Sequence, residues 1–325
     1  MADLSFDHVK EIPSPAQVEV MLDRTSRLLG GLLDHRMGDE VSEEARGTPS
    51  ANYDVLFRNA PTDMAAVGSL PFFGRANNYV DPNHPLMVNY RLAEAYPERS
   101  VFVGGVEPFG QPKGAALESI AYQVKELGAK SMKFYPLDWC ADDRELGYPL
   151  YERCGELGIK VIQFHMCRPA DQFHDVETQR PNYLQRIARD FPDLELIMHH
   201  PEPLYFDETV NILGRFPNIH LLMSPMIQMA IWRPRLVQKM LGELLQQVGS
   251  HKLIYGTEGA LAGNPTRYVE TVMNFDIPED LRRGYGYPQI TVEDKERILG
   301  LNLAALFDVD VEAKKKELAN LPDGR

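Results

Sequence analysis

From about Ala60 onward the chain repeats one pattern: a short apolar, β-branched or aromatic run, a longer amphipathic stretch, then another apolar run. The runs occupy 63–73 (DMAAVGSLPFF), 101–108 (VFVGGVEP), 131–136 (SMKFYP), 159–165 (IKVIQFH), 194–200 (LELIMHH), 218–224 (NIHLLMS) and 252–258 (KLIYGTE). Helix-like segments fill most of the gaps, among them AALESIAYQVKELGA, which closes at Gly128 as a C-cap would. Strand, helix, strand is the βαβ unit, and serial βαβ units build a parallel sheet covered on both faces. An eighth run, Leu4 to Val9, places Leu4, Phe6 and His8 on one face. Eight such strands predict an α/β fold, a TIM-type (β/α)8 barrel. An open doubly wound sheet would call for a glycine-rich phosphate loop after the first strand, and the chain has none there.

A chain of 325 residues suits a single barrel domain spanning 1–325. Two regions interrupt the alternation. Residues 14–60 read as an inserted helical and loop segment after the first strand. In it Ser14 is an N-cap with Pro15 at the first helical position of a helix to Leu33, and 34–51 is polar and irregular. Residues 276–289, rich in Pro, Gly and Arg, read as a long loop of the kind that shapes a pocket. A helical tail is expected over 291–325.

The formal net charge of −13, with no cluster of Lys and Arg, argues against nucleic acid as a partner. No apolar run approaches the roughly 20 residues of a membrane span. The opening MADLSFDHVKEIPSP lacks the apolar core of a signal peptide. Three widely spaced cysteines, without a CxxC pair, suit a reducing compartment. A cytoplasmic protein is therefore expected.

In a barrel the chemistry sits at the C-terminal ends of the strands. Those ends here carry His8, Glu107, Lys133, His165, His200, Ser224 and Glu258. One histidine closing a strand is commonly a hydrogen-bonded structural residue; several in register on successive strands converge on a point. Imidazoles with a carboxylate suit a divalent zinc, manganese or iron ion. A bound ion of that kind brings the pKa of its water to roughly 7, and Glu258 would serve both as ligand and as general base. Arg168, three residues past His165, is a fork-shaped anchor for a substrate carboxylate, and Lys133 a point-charge one. Trp139 and Trp232 follow strands and are candidates for lining an apolar pocket.

The stretches AEAYPERSVFVGGVEP, GAKSMKFYP, YERCGELGIKVIQFH, FPDLELIMHHPEP, KLIYGTEGA and RILGLNLAALFDVD run from about Ala93 to Asp310. In wording, order and spacing they resemble the amidohydrolase-related, aminocarboxymuconate-semialdehyde-decarboxylase-like branch of the amidohydrolase superfamily. The resemblance implies a barrel, one or two divalent metal ions (zinc, manganese or iron), and hydrolysis or non-oxidative decarboxylation of a small carboxylated compound. It matches His165 and His200 to metal ligands, His200 rather than His199 because a non-histidine residue usually precedes the family's ligand; His199 is then expected to face the wall or a helix, with a role in the pocket left open. The first strand departs from the usual His-x-His and looks closer to a variant in which a histidine precedes a glutamate by three residues. That makes His8 and Glu11 the first-strand ligand candidates. Glu258 stands where the family usually has aspartate in G-[ST]-D. The set implied is His8, Glu11, His165, His200 and Glu258, with Glu258 and His200 catalytic and Lys133 and Arg168 holding substrate.

Two other readings follow from the altered first strand: a dinuclear iron or manganese oxygenase, and a non-catalytic paralogous subunit of a hetero-oligomeric enzyme. The expected partners are a small-molecule carboxylate substrate and either a second copy or a related subunit.

Overall fold

The computed structural model of this chain describes residues 48–68, 85–109, 112, 114–167, 174–201, 203–258 and 264–321. The expected first strand with His8 and Glu11, the helix expected over 14–33, and Arg168 lie outside the described residues.

The seven apolar runs form seven parallel strands that pair strictly in chain order. They are β1 (Ala65–Gly68), β2 (Ser100–Val106), β3 (Ser131–Phe134), β4 (Val161–His165), β5 (Glu195–His199), β6 (Ile219–Leu222) and β7 (Leu253–Ile254). The sheet curls into part of a barrel, with helices on its outer face. These include α1 (Pro49–Tyr53), α2 (Pro85–Ala95), α3 (Ala115–Lys125), α4 (Tyr148–Glu156), α5 (Leu184–Asp190), α6 (Phe206–Arg215) and α7 (Pro234–Gln247).

Alternation along each strand sorts its side chains into two clusters. Met132, Phe134, Ile162, Phe164, Leu196, Met198, Ile219, Leu221 and Leu253 face outward into the main core, beneath the helices. Val161, Ile197 and Ile254 point the other way and pack with Leu222, Leu303, Leu306 and Phe307. The last three belong to the C-terminal stretch, so that stretch closes the inside of the sheet. Asn302 ties it down, donating from Nδ2 to the carbonyls of Ser250 at 2.7 Å and Leu253 at 2.8 Å, where β7 begins.

Two sequence expectations need correction. At the end of the stretch 34–51 read as irregular a helix begins, Pro49–Tyr53, N-capped by Thr48, and it continues as a π-type turn over Asp54–Arg58. Tyr53, Leu56 and Phe57 from this segment are buried in the core, so tertiary burial organises a stretch whose flanking residues are polar. The expected loop 276–289 contains the helix Glu279–Tyr285, with acidic residues in its first turn, Arg282 and Arg283 in its last, and Gly286 at φ 77° as its stop. It is held to α7 by the Arg235–Asp280 ion pair and by Gln246 Nε2 donating to the Gly286 carbonyl at 3.0 Å. Of the two tryptophans, Trp139 is packed into the core and Trp232 is exposed.

The contact between α7 and this second helix is close enough to test. A Cβ at Gly242 would lie 2.3 Å from Cδ2 of Tyr287 and 2.7 Å from its Cγ. Tyr287 is itself buried and cannot swing away freely. Gly242→Ala gains about 1 kcal/mol of helix propensity, yet overpacking of this kind costs about 1–3 kcal/mol. The expected result in urea denaturation is a net loss of about 1 kcal/mol; a gain would show that Tyr287, just past the second helix, does not pack this closely on α7.

Candidate active site at the C-terminal ends of the strands

The pairing of β4 with β5 sets His165 opposite His199, and Gln163 opposite Ile197. Residues paired across parallel strands share a face, so His165 and His199 both point inward with Gln163. Of the two positions open to His199, the wall and the pocket, the register gives the second. The next residue would ordinarily point outward, but His200 has φ 71°, in the left-handed region that side chains other than glycine rarely adopt. That reversal returns its ring to the inside. The His165 and His200 rings lie 4.8 Å apart at 73°, and those of His199 and His200 5.6 Å apart at 77°. Glu258, after β7, also adopts a positive φ, 55°. Two such residues, after β5 and β7 on either side of β6, mark a backbone shaped around the site.

Glu258 and His200 meet over Ser224. The Ser224 hydroxyl donates to Glu258 Oε1 at 2.5 Å, and that oxygen lies 3.4 Å from His200 Nδ1. His200 Nδ1 also contacts the carbonyl oxygen of Ser224. A carbonyl only accepts, so Nδ1 carries the hydrogen and, in the neutral ring, Nε2 carries the lone pair. Gly256 leaves room for this arrangement: a Cβ there would fall 2.4 Å from Leu222 Cδ2 and 2.9 Å from Ser224 Oγ.

His165 stacks on Tyr135, with centroids 4.7 Å apart and planes at 20°. Its Nδ1 is buried and has no hydrogen-bond partner among the described residues. Burial, reinforced by His200 and Lys133, holds the ring well below the ordinary histidine range, so it is neutral at physiological pH. Lys133 lies on the inner face of β3, its Nζ 5.0 Å from the Tyr135 ring centroid. Among the described residues it makes no hydrogen bond or ion pair, and burial brings it down to about 8 against the upward pull of Glu258. Burial also pushes the Tyr135 phenol well above its usual value, with Glu258 adding to the effect.

The structure thus gathers His165, His200, Glu258 and Lys133 from the expected set. Residues that sequence reasoning missed are Tyr135, Gln163 and Ser131. Their only signal was the period of two along a strand, Gln163 before His165 and Ser131 and Tyr135 either side of Lys133. Among the described residues no group of three or more His, Cys, Asp and Glu side chains is arranged to hold a metal ion. The five-ligand set is therefore not assembled there, since His8 and Glu11 fall outside the described residues.

Glu107, just beyond β2, is half-buried and accepts from the Phe109 N–H at 2.8 Å. Burial pushes its carboxyl up to about 8; the Phe109 hydrogen bond opposes this and Asp138 adds to it. A raised carboxyl contributes stability that is complete below the unfolded value and lost as pH rises through about 8. Glu107→Gln should therefore match the parent near pH 4 and exceed it at pH 9 by about 1–2 kcal/mol, allowing for partial solvation. Thermal melts across that range decide it; a gain of equal size at both pH values would sink it.

The amidohydrolase family model matches residues 36–309, and the chain belongs to this family. His8 and Glu11 precede the matched span. No curated protein sequence matches the chain. Solved structures share the fold at low identity. One is an uncharacterised TIM-barrel protein from Bordetella bronchiseptica, 19% identical, TM-score 0.58, covering 90% of this chain and 91% of the other. A second is 5-carboxyvanillate decarboxylase from Novosphingobium aromaticivorans, 14% identical, TM-score 0.55, covering 90% and 94%, described with bound manganese and a nitrobenzoic acid. A third is a probable 2-pyrone-4,6-dicarboxylic acid hydrolase from Acinetobacter baumannii, 12% identical, TM-score 0.52, covering 80% and 89%, with citric acid bound. No helix among the described residues is long and apolar enough to cross a membrane.

Proposed function

We propose that this chain is a divalent-metal-dependent enzyme that hydrolyses or decarboxylates a small carboxylated compound. The observation that carries the reading is the buried, unpartnered Nδ1 of His165 beside His200 and Glu258. A buried polar atom without a partner is costly, and a ligand that fills the site would satisfy it. The donor chemistry fits a divalent ion. The His165 imidazole is kept neutral, the His200 tautomer is fixed by a backbone carbonyl as metal-ligating histidines usually are, and a carboxylate stands alongside. His165, His200 and Glu258 would hold the ion, with His8 or Glu11 completing the set. When bound, the ion supplies Lewis acidity toward a water or a carboxylate.

The remaining work falls to the protein. Lys133, whose ammonium has no carboxylate partner among the described residues, would take the substrate's carboxylate; Arg168 is a further anchor. Ser224 fixes one oxygen of Glu258 and so aims the other. Glu258 would accept a proton in hydrolysis and return one to carbon in decarboxylation. The Novosphingobium and Acinetobacter relatives carry names of both reaction types, acting on carboxylated compounds, which supports the substrate class.

Elemental analysis after growth with manganese, iron and zinc tests the reading, followed by a screen of aromatic and unsaturated carboxylates for carbon dioxide release or ring opening. At least about half an ion per chain and turnover of one substrate class are expected. Less than about a tenth of an ion per chain would overturn it in favour of a non-catalytic paralogous subunit. Metal-dependent oxygen uptake in place of both activities would favour an oxygenase.

A further inference from the structure

His199 is placed among the site residues by the register of β4 and β5, and a chain of hydrogen bonds fixes which of its ring nitrogens carries the proton. The Ser131 hydroxyl donates its single hydrogen to the Val161 carbonyl at 2.8 Å. Its oxygen must then accept from Gln163, whose Nε2 lies 3.0 Å away. With the amide nitrogen so assigned, Gln163 Oε1 faces His199 Nε2 at 2.7 Å. An amide oxygen only accepts, so the His199 hydrogen is on Nε2. In the neutral ring Nδ1 then holds an acceptor lone pair, and no partner for that atom is found among the described residues. The chain spans three adjacent strands, β3, β4 and β5, on the inner face of the sheet. It aligns one imidazole in one tautomer beside the His165 and His200 rings.

We propose that His199 is a binding residue of this site whose Nδ1 accepts a hydrogen bond from a hydroxyl or other O–H or N–H donor of the bound carboxylate compound, its tautomer locked by Gln163 and Ser131. This rests on the functional reading above for the identity of the ligand, but not for the tautomer. It assigns a substrate class more narrowly: a carboxylate that also carries a hydrogen-bond donor, such as a phenol.

Two measurements on the full-length protein test it. Long-range proton–nitrogen correlations on histidine-labelled, metal-free protein, with the His199 signals identified by their loss in His199→Gln, should show the Nε2–H tautomer. The Nδ1–H tautomer would overturn the proposal whatever the protein binds. In calorimetry, benzoate and its three hydroxy isomers are the probes. At least one hydroxybenzoate should bind the parent about tenfold more tightly than benzoate, the size of one hydrogen bond into a half-enclosed site. His199→Gln retains an amide near the Nε2 position but has no acceptor near Nδ1, and should lose that advantage. His199→Asn, which can set an amide oxygen near the Nδ1 position, should recover part of it. An advantage that persists in His199→Gln overturns the proposal and leaves the functional reading standing. Failure of the parent to bind any of the four overturns both.

Discussion

Replacing His165 by alanine is expected to remove bound metal and lower turnover by about 10³-fold or more, about 4 kcal/mol of transition-state stabilisation. His165 lies at the C-terminal end of β4, neutral, stacked on Tyr135 and 4.8 Å from the His200 ring. Its Nδ1 has no hydrogen-bond partner among the described residues. The substitution therefore breaks no hydrogen bond at that atom, and its stability cost is confined to the stacking contact and the space left behind. Glu258→Ala should have a similar effect on metal and activity, but it also leaves the Ser224 hydroxyl without its acceptor. The check is metal per chain by elemental analysis, turnover on whichever carboxylate the screen identifies, and the thermal midpoint. Full metal content in both variants would place the metal elsewhere in the chain. A cooperative melt within a few degrees of the parent would show that the loss is local.

The second large effect concerns Lys133. Lys133→Met keeps the length of the side chain and removes its charge. Binding of a carboxylate substrate should weaken about 30- to 100-fold, about 2–3 kcal/mol, as for other enclosed ion pairs that lose one partner. The loss should appear mainly in KM if Lys133 only anchors. The parent's own affinity should fall as pH rises through about 8, because there the ammonium gives up its proton. The variant's affinity should show no such step. Stability should move the other way. Lys133 is lowered to about 8 from the ordinary 10.5, so between those values the unfolded chain holds more protons and stability rises with pH. Below about 8 the parent carries the full penalty of an enclosed charge. Lys133→Met should therefore be more stable than the parent at pH 7, by a margin that shrinks toward pH 10. Unchanged affinity at pH 7, together with unchanged stability, would show that Lys133 is neither enclosed nor in the site.

Both effects depend on side chains whose sequence signals were of unequal strength. His165 and Lys133 end or nearly end apolar runs, and in a parallel barrel a strand end is enough to locate a residue at the open mouth. His199 was legible in position but not in direction. Two adjacent histidines cannot both face inward on a regular strand, and only the φ of 71° at His200 resolves that conflict. Gln163 and Ser131 carried only the period of two along their strands. They matter because β3, β4 and β5 align in a register that connects them to His199.

What the sequence by itself determined is the serial parallel sheet, its strand order and the end at which the chemistry lies. Those follow from local periodicity and short connections, which act over ten or fifteen residues at a time. It also determined which imidazoles and carboxylates are available there, and its wording pointed to the amidohydrolase family. Only the tertiary structure decided how those groups face one another. The turned backbone at His200 and Glu258, the clamp of Ser224 on Glu258, the tautomer of His199 and the burial of Lys133 near Glu258 arise between strands far apart in the chain. The helical segments at 49–58 and 279–285 were settled the same way, by burial against partners that no local window contains. Direction and protonation are properties of contacts, and a strand's sequence specifies its faces without specifying what it will meet.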